Sequence, residues 1–135
     1  MLQAPPIIIT RIDLTRLRRL LASPAQRDSD AAEALAEEID RAEVVEPTQL
    51  PADVVSMHST VRLREKNTGR AFELTLVYPA EVGEGRVSVL APIGSALLGL
   101  AVGREIEWPL PGGQTARIEV QGVLYQPEAA GLDLH

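Results

Sequence analysis

The stretch VLAPIGSALLGLAVGREIEWPLPGG, residues 89–113, decides how the chain folds, because its breaks fall at the spacing of a strand, a helix and a hairpin. Pro92 stops the strand begun by Val87 and Val89, since proline has no N–H for the ladder. Gly94 relieves strain at the turn into a short helix over residues 94–100, whose Ala96, Leu97, Leu98 and Leu100 cover a sheet. Gly99 and Gly103 permit close packing or a left-handed backbone, and Gly103 closes the connection. Ile106 and Trp108 then share one strand face. Gly112-Gly113 reverses the chain as a hairpin turn.

The sheet extends in both directions from this stretch. Val55, Met57, Ser59, Val61 and Leu63 alternate with polar residues up to the turn Asn67-Thr68-Gly69, a strand pattern. Phe72, Leu74, Leu76 and Tyr78 form the next strand face, which Pro79 ends. Gly83 to Gly85 turns the chain toward Val87. Beyond the hairpin, Ile118, Val120 and the residues to Tyr125 make a fifth strand, with a loose tail past Pro127 and Gly131. Residues 54–135 are therefore expected to form an antiparallel sheet domain with one short helix, in an α+β fold.

The N-terminal third reads differently. Pro5 and Pro6 disfavour helix, and Ile7-Ile8-Ile9 favours an extended segment. Thr10 stands as an N-cap with Asp13 three residues later, close to a capping box in which Glu or Gln is the usual third residue. Ile9 is placed to staple onto Leu14. Leu14, Leu17 and Leu21 make an apolar stripe that Leu20 widens, and Pro24 ends the helix near Ser23. After a polar connection over residues 24–29, Asp30 caps a second helix with Glu33 at its third position, and Ala31, Leu35, Ile39 and Ala42 form its stripe up to Glu46-Pro47. The helices span about 12 and about 15 residues, or ~18 and ~22 Å. The first is basic (Arg11, Arg16, Arg18, Arg19) and the second acidic (Glu33, Glu37, Glu38, Asp40, Glu43). Each exposed pair between them contributes only about 0–1 kcal/mol, so the apolar seam carries the stability. Residues 1–46 are expected as an extended segment plus a short antiparallel helical hairpin, a coiled coil. Residues 47–53, with Pro47 and Pro51, are a linker.

Composition bounds the function. A net charge of −6 is the wrong sign for neutralising many phosphates, so strong direct nucleic-acid binding is not expected and a protein partner is. With no cysteine, disulfides, thiolate metal sites and cysteine nucleophiles are excluded. No apolar run approaches the ~20 residues of a membrane helix, and residues 1–9 lack a signal-peptide pattern, so a cytoplasmic protein away from membranes is expected. Aromatic residues make up only 3%, so Leu, Val, Ile and Ala must fill the core.

Residues 89–113 resemble the C-terminal domain of the Gre transcription factors, in which a Pro-Ile-Gly turn leads to Ala-Leu-Leu-Gly, then Val-Gly, then a strand ending in Pro-Gly-Gly. Residues 50–57 (LPADVVSM), 76–80 (LVYPA) and 125–131 (YQPEAAG), with Ile7-Ile8-Ile9 at the start, resemble the regulator of nucleoside diphosphate kinase (Rnk) family, a short-hairpin relative of the Gre factors. The resemblance implies an FKBP-like sheet domain and a transcription regulator that binds RNA polymerase at the rim of its secondary channel. In Gre factors the loop before the short helix docks on a coiled coil there. The matching positions are Ala91, Pro92 and Ile93, with Ser95 just inside the helix; Ala91 replaces a residue that is commonly polar. Ile93 has a second reading as a core residue.

Gre factors also insert a long hairpin whose tip carboxylates help hold a catalytic Mg²⁺. Asp28 and Asp30 are the candidates here, against the plainer reading of Asp30 as a helix cap and Asp28 as a solvated loop residue. The short helices predict that the tip falls short of the polymerase active centre. The expectation is a monomeric, non-enzymatic polymerase binder that competes with longer factors, with no cofactor and no metal. A cleavage factor and an interaction domain for another partner are the alternatives. Prolyl isomerase activity has little support, because Phe72, Tyr78, Trp108 and Tyr125 are too few to line a proline cavity and several are needed for the core. His58 and His135 have no ligand spacing around them.

Overall fold

The computed structural model describes residues 7–109 and 111–131, with only the backbone described at 108, 109 and 111. Pro5, Pro6, the Trp108 side chain and His135 lie outside the described residues.

The chain opens with strand β1 (Ile8–Thr10) and helix α1 (Arg11–Leu21). Thr10 caps α1 as expected: its Oγ1 accepts a hydrogen bond from Asp13 N at 3.0 Å. Helix α2 (Asp30–Asp40) is capped by Ser29 and not by Asp30. Ser29 is the residue with extended backbone, and its Oγ accepts from Ala32 N at 3.1 Å. Asp30 occupies the first helical position, where its charge still faces the positive end of the helix. The buried stripe is accordingly Ala32, Leu35 and Ile39, and Ala31 is exposed.

The acidic helix also ends earlier than its composition implies. Residues 43–45 form strand β2 (Glu43–Val45), which pairs parallel with β1, Ile8 opposite Glu43 and Ile9 opposite Val44. Val44 and Val45 prefer an extended backbone, and the partner strand was already present. Arg11 and Glu46 close this end with an ion pair at 3.0 Å. Arg18 and Asp40, both in C-terminal turns, lie 3.6 Å apart, so the two helices do not run side by side in end-to-end register.

A five-stranded sheet follows: β3 (Thr60–Glu65), β4 (Ala71–Val77), β5 (Arg86–Ser88), β6 (Glu105–Pro109) and β7 (Thr115–Tyr125), in spatial order β5-β4-β3-β7-β6. Three pairings are antiparallel, with Val61 opposite Leu74, Leu63 opposite Val120, and Ile106 opposite Ile118. The fourth, β4 with β5, is parallel, which corrects the all-antiparallel expectation. The β5 strand covers only the last three residues of β4, so the short connection through Gly83 and Gly85 suffices to bring it back in the same direction.

Residues 54–59 are not a strand. Val54, Val55, Ser56 and Met57 are all buried, because this segment has neighbours on both sides. Val55 N donates to Leu100 O at 2.9 Å, Gly99 N donates to Val55 O at 2.8 Å, and His58 turns the chain with φ +67°. Helix α3 (Pro92–Leu97) begins two residues before its expected start, with Pro92 at the first helical position, where a missing N–H costs nothing. Gly94 serves close approach and not strain relief: a Cβ there would run into the Ser88 carbonyl. Gly99 needs both its freedoms, with φ +78° and Ile7 packed against its Cα.

The core is continuous. Leu17, Leu35 and Ile39 from the helices join Val55 and Met57, Leu63 and Leu76 of the sheet, and Leu97 and Leu98 of the α3 corner. Among the described residues no helix is long and apolar enough to cross a membrane.

Candidate functional site

The α3 corner is rigid by construction. Ser88 Oγ accepts from Leu90 N at 3.0 Å and Ser88 O accepts from Ala91 N at 3.0 Å, which fixes the approach to the helix. Ser95 N then donates to Ala91 O at 2.8 Å, closing the first turn. Pro92 is exposed, Ala91 and Ser95 are half-buried, and Ile93 packs its partly buried side chain against the core. Of the four sequence-derived positions, Pro92 presents the most surface, and Ile93 carries the packing role as well.

Pro92 and Ser95 form one lip of a groove of about 680 Å³. Ala31 and Ala34 of α2 form the facing lip. Ile8, Leu100 and Ile106 give the groove an apolar floor, and Glu37, Glu38, Arg104 and Glu105 ring it with charge. Two of the ring carboxylates are already engaged: Glu38 with Arg41 at 3.1 Å and Glu105 with Lys66 at 2.7 Å. Ala91 and Ile93 do not line the groove.

The tip residues lie elsewhere. Asp28 is exposed in the turn between the helices with φ +66°, a conformation that Asp tolerates better than most residues. Asp30 is the exposed first residue of α2. Among the described residues, neither joins a group of side chains that could hold a metal ion.

A second polar constellation sits at the joint between α1 and the sheet. Asp13 is 3% exposed, and its Oδ2 accepts from Met57 N at 3.0 Å. Half of the capping box is therefore present, the Thr10 bond, while the carboxylate turns away to a backbone donor 44 residues on. Burial pushes the Asp13 carboxyl up to about 6; the Met57 N–H opposes that, Glu128 adds to it, and His58 and Arg16 oppose it. Ser56 Oγ meets Glu128 Oε1 at 2.6 Å and Ser59 Oγ at 2.9 Å. Gln126 Nε2 donates to Pro51 O and Val54 O at 2.8 and 2.6 Å, tying the end of the chain across the linker. The Tyr78 hydroxyl, raised by its burial and then by Asp13, and Glu128 Oε2 are buried without hydrogen-bond partners. Nothing in the local pattern around Asp13 or Glu128 marks these roles; the one available signal was an Asp at a position where a capping box wants Glu.

Comparison with known proteins places both halves of this arrangement. The family described as "Transcription elongation factor, GreA/GreB, C-term" matches residues 50–125, and "Rnk N-terminus" matches residues 5–45. The chain is 46% identical to "Regulator of nucleoside diphosphate kinase" of Escherichia coli (strain K12), covering 94% of this chain and 95% of that protein. It is 33% identical to "Transcription elongation factor GreA" of Helicobacter hepaticus, covering 90% of this chain and 80% of that one. Among solved structures it is similar to "Prokaryotic transcription elongation factor GreA/GreB from Nitrosomonas europaea", with 46% identity, a TM-score of 0.79, and coverage of 90% of this chain and all of that one.

Proposed function

The chain belongs to the Rnk family, an Rnk N-terminus joined to a GreA/GreB C-terminal domain, and from that premise we propose that it is a non-enzymatic cytoplasmic regulator that binds RNA polymerase beside the secondary channel and competes there with Gre factors without stimulating transcript cleavage. Residues 54–135 act as the docking domain, with an FKBP-like topology; residues 1–46 act as the arm and 47–53 as the linker between them. The observation that carries the reading is reach. Each helix of the arm has 11 residues, three turns, or about 16 Å. Cleavage needs carboxylates delivered to a metal at the polymerase active centre, and an arm of this span ends far short of what a long Gre hairpin delivers.

Docking falls to the α3 corner. A proline-fixed loop that is already hydrogen-bonded into shape loses little conformational freedom on binding. Pro92 is its exposed apex, and the groove beside it offers an apolar seat. Ile93 supports the loop from beneath, so replacing it with a charged residue would test folding as much as docking. Pro92→Ala combined with Ala96→Arg alters only exposed positions on the lip.

Pull-down of core RNA polymerase, with a Gre factor as competitor, is the direct test. The wild-type chain should be retained and then displaced, and the double variant should lose at least tenfold in affinity. Unchanged affinity in the variant removes the corner from the interface. Efficient transcript cleavage by the purified chain on backtracked complexes overturns the non-catalytic reading.

A further inference from the structure

Two carboxylates from opposite ends of the chain converge on residues 54–59. Asp13 enters from α1 and takes the Met57 N–H; Glu128 enters from the turn after β7 and takes the Ser56 hydroxyl. The charged and titratable groups around Asp13 come from each element packed on it: Arg16 on its own helix, His58 on the segment beneath, Tyr78 at the end of β4 with Glu81 beyond it, and Glu128 on the terminal turn. His58 and Glu81 are paired with each other at 2.8 Å, and the His58 ring stands edge-on to Tyr78 at 5.5 Å. Burial and the Glu128 carboxylate thus raise the Asp13 carboxyl, and the Met57 N–H, His58 and Arg16 oppose them.

We propose that Asp13 is a proton-operated latch between the helical pair and the sheet: with its proton the carboxyl group keeps α1 seated on residues 54–59, and without it the seat loosens and the groove between α2 and α3 widens. The geometry gives the direction. An ionised carboxylate that is 3% exposed must be desolvated each time α1 seats, and one N–H compensates only part of that. A neutral carboxyl keeps the Met57 bond without carrying a charge into the buried seat, where the Glu128 carboxylate also raises the cost of ionising it.

The folded pKa of Asp13, about 6, is raised above the unfolded value. Its contribution is therefore complete below the ordinary carboxylate pKa, near ~4, and is lost as the pH rises through about 6. The Arg11–Glu46 pair at the other side of β1 does not titrate against it in that window, because Arg11 holds Glu46 below the usual carboxylate range. Movement at α1 reaches the groove through α2, since Leu17 shares a buried core with Leu35 and Ile39. The latch needs no partner to operate.

The chain has no cysteine, so a spin-label pair at Ala34→Cys and Ala96→Cys, exposed positions on the two lips, reports the groove width without background. In the full chain, the distance distribution should be short and narrow near pH ~5 and longer and broader near pH ~8, either side of the carboxyl midpoint. Asp13→Asn should hold the short distribution at both. A distribution unchanged between the two pH values, or a change that persists in Asp13→Asn, overturns the latch. Should that variant fail to fold, the spin-label pair is read over a pH series in the chain that keeps Asp13, beside carbon-13 titration of its carboxyl: a widening whose midpoint follows that carboxyl supports the latch, and one that does not, or no widening, overturns it.

Discussion

At the base of the helical pair, Thr10 caps α1 in full burial, beside a carboxylate bound to another part of the chain and at the end of a strand paired with β2. At the tip, Ser29 caps α2 with the same kind of bond, in a half-exposed turn whose Asp28 and Asp30 face solvent. The local chemistry is nearly identical, a hydroxyl accepting from the third N–H of a helix. What differs is whether anything distant depends on it. The base is where α1 joins the sheet's core; at the tip Asp28 and Asp30 lie in solvent, and burial begins only with Ala32.

The sharpest way to break the contrast is to open the base. Leu35→Ala removes a fully buried side chain from the seam and should lower the unfolding free energy by about 2–5 kcal/mol in urea titration. Gly99→Ala strikes the same region through the backbone, forcing a Cβ onto Ile7 at φ +78°; the strain and overpacking together should cost about 3 kcal/mol, with a fall in thermal midpoint. Asp13→Asn should act in the opposite sense. It should leave stability near pH ~3 unchanged and raise it near pH ~8 by up to about 3 kcal/mol, the equivalent of the shift to about 6, so the two pH–stability curves part between the ordinary carboxylate pKa and that value. At the tip, Ser29→Ala should cost only about 1 kcal/mol. Asp28→Gly should be neutral or stabilising by about 0.5 kcal/mol, because glycine adopts φ +66° without strain. A tip substitution costing as much as Leu35→Ala would erase the distinction between the two ends.

The same contrast explains what the sequence could and could not disclose. The α3 corner was legible because its determinants are local: Pro92, Gly94, Gly99 and the Gly112-Gly113 turn act within a few residues of where they stand. Strands β3, β4, β6 and β7 followed from alternation. The Ser29 cap was missed by one position because Ser and Asp are nearly equal N-caps and only the backbone angle chooses between them. Strand β2 was hidden because Val44 and Val45 adjoin a helical pattern and their partner is 35 residues away. Residues 54–59 alternate as a strand would, yet are buried on both sides by elements the pattern cannot see. The joint failed for the same reason: Met57 N and Glu128 are distant in sequence, and no periodicity predicts which carboxylate a backbone donor will find.

The order of the five-stranded sheet, β5-β4-β3-β7-β6, puts the last-translated of its strands between its first and its fourth. Until β7 emerges, β6 has no neighbour and β3 presents one bare edge, a template for pairing with other chains. Gln126 and Glu128, which organise the seat for α1, emerge later still. The two helices, translated before the sheet, therefore cannot complete their docking until residues 126–128 have emerged, and assembly is governed by long-range closure rather than by step-by-step growth along the chain.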